Sequence, residues 1–173
     1  MEIIKMLLKE FDQEAEATRK MLACIPNDKY DWQPHPKSMT IRRLATHIAD
    51  IPSWVQMAIC DDELDFATTT HKEPLINDNI ALLEFFEQSY SAGREALANT
   101  NEDVLEQSWT MRNGDQVYFT STKGEVIRTS YCQIVHHRAQ MGVFLRLLDV
   151  AIPGSYGPSA DEMEMEPAAE TAS

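Results

Sequence analysis

Apolar residues recur at helical spacing in four long stretches of the chain. In residues 2–24 the stripe is Ile3, Ile4, Leu7, Leu8, Phe11, Ala15, Thr18, Met21 and Leu22, with Glu and Lys opposite. Residues 39–60 carry Ile41, Leu44, Ile48, Ile51, Val55 and Ala58, and Pro52 falls inside the run, where it must kink or split a helix. Residues 77–99 place Ile80, Leu83, Phe86, Tyr90 and Leu97 inward. In residues 124–149, a step of about 100° per residue gathers Ile127, Tyr131, Ile134, Met141, Leu145 and Leu148 on one face.

The intervening segments read differently. Three prolines in residues 25–38 make an ordered loop, with Tyr30 and Trp32 available to pin it. Ser38 or Thr40 suits the N-cap of the second helix, and Asn77 or Asp78 that of the third. Residues 61–76 are acidic, rich in Thr and read as loop. Between residues 100 and 123, Asn113-Gly114 separates two short extended runs, a hairpin signal that an excursion between helices would match equally well. Pro153, Gly154, Gly157 and Pro158 end the last helix, and the Glu-, Ala- and Met-rich residues beyond show no period.

This order predicts an all-α fold: a four-helix bundle over residues 1–160, with a small hairpin excursion before the last long helix and an acidic, disordered tail over 161–173. The 43% hydrophobic and 25% charged fractions suit a domain with a real core. The formal net charge is -13, from 28 acidic and 15 basic side chains, which argues against a nucleic-acid or membrane-surface binder. Cys24, Cys60 and Cys132 are widely spaced and form no CxxC, so neither a disulfide framework nor a cysteine zinc site is expected. With no signal-peptide pattern and no transmembrane stretch, a cytoplasmic protein is expected.

The candidate chemistry lies on the last long helix and its neighbour. His137 falls on the border of the core face, with Gln133 and Gln140 four and three residues away on the same ridge. His47 has the same border position on the second helix, with Trp54 near the same line. Such a ridge can build an inward-facing site in a bundle. Imidazole suits zinc, nickel or iron, and positions four apart on a helix can face one ion. The bland alternative is a pair of structural or solvated histidines. His136 points away from the core and reads as a solvent or interface residue. Arg138 lies just inside the core face, where it snorkels or pairs with a carboxylate. His35 and His71 read as exposed loop residues, and Cys132 as a buried, inert thiol in preference to a nucleophile.

Three stretches together resemble the DinB-like family, which includes the YfiT-like metal-dependent hydrolases. They are Trp32-Gln33-Pro34-His35-Pro36 through Ser38-Met39-Thr40-Ile41 to Leu44-Ala45-Thr46-His47-Ile48; His136-His137-Arg138-Ala139-Gln140 through Leu145-Arg146-Leu147-Leu148; and Pro153-Gly154-Ser155-Tyr156-Gly157-Pro158-Ser159. The resemblance implies a four-helix bundle with a metal triad in a crevice. One ligand matches His47, and the second member of an HxxxH pair matches His137. The first member falls on Gln133, a departure from the pattern. The resemblance further implies a divalent ion, zinc or nickel, held by His47, Gln133 and His137, and hydrolase or thiol-transferase activity on a small-molecule substrate. It also implies homodimers and a link to the stress response. The alternative is a non-catalytic member whose crevice binds a small molecule or supports a dimer.

Overall fold

The computed structural model describes residues 2–69 and 74–165. Four helical columns form the bundle: α1 (Ile3–Ala23), the broken pair α2 (Ile41–Asp50) and α3 (Ser53–Cys60), α4 (Asn79–Ala98), and, after a short α5 (Glu102–Leu105), the long α6 (Lys123–Leu147). A last short helix, α7 (Ala160–Met165), follows the loop after α6. Helix α1 packs on α4 and α6, and α2 and α3 each pack on both α4 and α6.

Local chemistry sets the helix ends. Thr40 accepts a hydrogen bond from the Arg43 amide (3.2 Å) and Asp78 one from the Ala81 amide (2.9 Å), so each caps its helix. Thr122 and Glu125 form a reciprocal capping box at the start of α6. Asn79 turns back to donate from Nδ2 to the carbonyl oxygens of Leu22 (2.7 Å) and Ile25 (3.2 Å), satisfying the end of α1. At the end of α6, Asp149 adopts a left-handed φ of 55°. The Val150 amide then reaches the Leu145 carbonyl at 3.0 Å, and the Asp149 amide that of Arg146 at 3.1 Å. This is the Schellman geometry, made here without glycine.

Pro52 splits the second column. It has no N–H to continue the ladder, and α3 restarts with the Trp54 amide on the Ile51 carbonyl (2.9 Å). The core divides near this break. One cluster holds Met21, Leu44, Ile48, Phe86 and Leu145, and the other holds Phe11, Ile51, Val55, Trp109 and Ile134. Each fully buried aliphatic or aromatic side chain contributes about 1.5–3 kcal/mol of transfer free energy. Gly93 of α4 sits against the break: a Cβ there would lie 2.3 Å from the Pro52 carbonyl oxygen. Glycine is what lets these columns approach so closely.

The fold departs from a purely helical one. Strands β1 (Glu63–Asp65), β2 (Ser108–Asn113) and β3 (Gln116–Thr122) form a sheet in the order β1-β2-β3. The pair β2–β3 is the hairpin that the Asn-Gly signal marks, but its two-residue turn is Gly114-Asp115, with Gly114 at a φ of 57°. Strand β1 pairs parallel to β2 within the segment read as loop. Its three residues are too few to show a period. Asp65 holds the junction by accepting from the amides of Ala67 and Gly114, each at 2.9 Å.

Two further expectations shift. Ile80 is 73% exposed; Phe86 and Leu97 of the expected α4 stripe are buried, Leu83 and Tyr90 pack against the core part-buried, and Leu82, Ser89 and Gly93 join the buried face. Residues 160–165 are helical where the unstructured tail should begin, tied by Asp161 to Arg146 (3.0 Å) and to the Ile152 amide (3.0 Å). The remainder of that expected tail, 166–173, lies outside the described residues.

Candidate functional site

Helices α2 and α6 meet so that the rings of His47 and His137 lie with centroids 4.8 Å apart and planes at 75°. Each is half-buried at the edge of the core, as the helical wheel places it. His137 Nδ1 is 2.8 Å from Gln140 Oε1, one turn on. An amide oxygen accepts, so in this arrangement His137 donates from Nδ1 and turns its Nε2 side to the crevice. Gln140 thus orients the His137 ring.

Trp54 stands against the other side of His47, ring centroids 5.4 Å apart at 66°. Its position depends on Asp50, the last residue of α2. Trp54 Nε1 donates to Asp50 Oδ2 at 3.1 Å, and Ser53 Oγ reaches Oδ1 at 3.4 Å. Asp50 is 7% exposed, a carboxylate one helical turn from His47 that the hydrophobic pattern did not single out. The available signal was an acid three residues after a border histidine, at a helix end followed by proline.

His136 is exposed, but its ring lies 4.8 Å from that of His137 at 62°. Trp54, His47, His137 and His136 therefore form a continuous row of rings. Gln133 is half-buried and lines a groove on α6 of about 300 Å³ together with Arg128, Thr129, Cys132 and His136. Among the described residues, no three His, Cys, Asp or Glu side chains converge on one point that could hold an ion. Cys132 is exposed, in contrast to the buried thiol expected, because the core face of α6 turns past it to Tyr131 and Ile134. His35 is exposed, and His71 lies outside the described residues.

Arg138 resolves in favour of the ion pair. It is 2% exposed, with Nη1 2.6 Å from Glu14 Oε2 on α1. The same nitrogen donates to the Glu14 carbonyl (3.2 Å) and to Thr18 Oγ1 (3.1 Å), and Nη2 donates to the Tyr156 hydroxyl (2.9 Å). Tyr156 in turn donates to Glu14 Oε1 at 2.8 Å. Burial first, and then the bond to Glu14, pushes the Tyr156 hydroxyl above its ordinary pKa. The segment 153–157 is thereby strapped onto α1, and the two wall an open groove of about 750 Å³.

A four-column helical bundle with a small three-stranded sheet is the fold class of this protein. The chain belongs to the DinB family, whose model matches residues 2–171. YrdA, an uncharacterized protein of Bacillus subtilis, is 24% identical over 155 residues, covering 90% of this chain and 89% of YrdA. A DinB-like protein from Bacillus cereus superposes with a TM-score of 0.68 at 22% identity, over 87% of this chain and 95% of that one. A mycothiol-dependent maleylpyruvate isomerase shares the fold with a TM-score of 0.60 at 15% identity, over 80% of this chain and 60% of its own. No helix among the described residues is long and apolar enough to cross a membrane.

Proposed function

We propose that His47 and His137 are the ligands of a divalent zinc or nickel ion in the bundle crevice, with Gln133 at the third position. The ion would serve a hydrolase or thiol transferase acting on a small molecule. The observation that carries this reading is the pairing of the two rings together with the His137–Gln140 hydrogen bond. Imidazoles sharing a tetrahedral ion at about 2.0–2.1 Å per nitrogen have centroids about 5 Å apart. The 4.8 Å separation found here agrees with that spacing. A ligating histidine also characteristically donates its other ring nitrogen to an acceptor, as His137 does to Gln140.

When bound, such an ion polarises a substrate oxygen or lowers the pKa of a bound water or thiol. The protein's own part is to present His137 Nε2, to hold Trp54 against His47 through Asp50, and to keep one side of the site apolar. The fold shared with a mycothiol-dependent isomerase favours a thiol-using reaction over hydrolysis. The third donor is a neutral amide, which favours weak binding and supports a second reading, a non-catalytic member that keeps only the crevice.

Metal content of the chain purified without a His tag, beside His47→Ala and Gln133→His, tests the proposal. One zinc or nickel ion lost in His47→Ala, and bound at least about tenfold more tightly in Gln133→His, is the expected result. Metal content equal in all three proteins would overturn it. Uptake only by Gln133→His would favour the second reading.

A further inference from the structure

The exposed thiol of Cys132 has a neighbour that neither the bundle core nor the crevice uses. Cys132 and His136 are four residues apart on α6 and line the same groove of about 300 Å³. Four residues on a continuous helix are about 40° apart around the axis and about 6 Å along it, so both side chains overhang one strip of surface. Both are exposed, so either can take the rotamer a shared ligand requires. Thr129 lines the same wall. Arg128, the groove's cation, is engaged with Glu10 and lies over the Tyr131 ring at 5.6 Å.

We propose that Cys132 and His136 form a second metal site, a thiolate–imidazole chelate for a thiophilic divalent cation such as zinc, with water completing the coordination. Sulfur and imidazole nitrogen are the donors zinc prefers, and helical positions one turn apart can both reach one ion. The formal charge of -13 raises the concentration of cations around the whole chain. On binding, the Cys132 S–H bond breaks, its proton leaves to solvent, and the sulfur electron pair forms the bond to the metal. Nothing is oxidised or reduced. The site rests on its own pair of residues and stands whether or not His47 and His137 hold an ion.

Cobalt(II) is the probe, added to the full chain kept reduced with a phosphine. Thiolate-to-cobalt charge transfer absorbs in the near ultraviolet, a signature that histidine-only coordination lacks. The band should appear in the wild type and in His47→Ala, and vanish in Cys132→Ser. In His136→Ala its midpoint should move to at least about tenfold higher cobalt. Zinc should bleach it. A band that survives Cys132→Ser would assign the sulfur to Cys24 or Cys60 and overturn the proposal, as would an unchanged midpoint in His136→Ala or no band at all. Far-UV circular dichroism checks that the variants remain folded.

Discussion

Arg138→Met should be among the most destabilising single substitutions in the chain. It keeps most of the side-chain volume, so a cavity is not the main effect. What changes is the state of Glu14, whose side chain is only 8% exposed and sits against a guanidinium that is 2% exposed. At that depth solvent screening offers little relief, and a carboxylate stripped of its partner costs about 3–5 kcal/mol. Tyr156 still donates to Glu14 Oε1, which places the effect toward the lower end of that range. For a chain of this length each kcal/mol moves Tm by about 2–4 °C, so a fall of about 10 °C is expected. The assay is urea unfolding followed by circular dichroism, with wild type, Arg138→Met, Glu14→Leu and the double variant as a cycle. Each single change strands the other charge, whereas the double replaces the pair by apolar groups. The double variant should therefore lie within about 2 kcal/mol of wild type. A loss below about 1 kcal/mol for Arg138→Met, or strict additivity in the double, would refute the argument that this pair is a coupled buried unit.

Three further outcomes follow from the geometry. Gly93→Ala gains about 1 kcal/mol of helix propensity but drives a Cβ onto the Pro52 carbonyl, so Tm should fall, with a net loss of about 1–3 kcal/mol; a rise would show that α4 moves freely past the break. Asp149→Gly removes the strain of a left-handed φ and should stabilise by about 0.5–1 kcal/mol in the same unfolding assay. Asp161 has its pKa lowered from 3.8 to about 2, by its bond to Arg146 first and the Ile152 amide second. A depressed folded pKa means that its contribution is present above the unfolded value and is lost as pH falls through the folded one. The tie between α6 and α7 should therefore weaken between about pH 4 and pH 2. Amide signals of residues 160–164 followed by NMR would report it, and in Arg146→Gln the change should move to higher pH.

The bundle was legible because its strongest signals are apolar residues at a regular period. The stripe of the second column, including Ile41, Leu44, Ile48 and Val55, is buried as its spacing predicts, with Pro52 dividing it. On helix α4 the period finds Phe86 and Leu97 but not Ser89 and Gly93, which carry no hydrophobic signal, and Ile80 is exposed beside Asn79, which closes α1. Placing Arg138 on the core face leaves snorkelling or a carboxylate partner, and the structure shows the partner. Which carboxylate was hidden, because Glu14 lies 124 residues away along the chain. Strand β1 was invisible for a related reason: three residues paired with a distant segment are held by their partner more than by their own pattern. In the candidate site, the wheel located His47 and His137 individually, but the 4.8 Å between their rings is a property of how two helices pack. Asp50 escaped notice because a carboxylate at a helix end ordinarily faces water.

Trp54 turns this arrangement into an optical instrument. Its indole ring stands 5.4 Å from His47 and is hydrogen-bonded to Asp50. Of the chain's three tryptophans, Trp32 packs against Phe144 at the loop before α2 and Trp109 lies wholly buried in β2. A protonated imidazole quenches indole emission by electron transfer, and an open-shell ion on the same ring quenches it more strongly. The emission of Trp54 should therefore report a proton or an added open-shell ion such as nickel at His47, readable in the unlabelled chain and isolated by subtracting a Trp54→Phe variant.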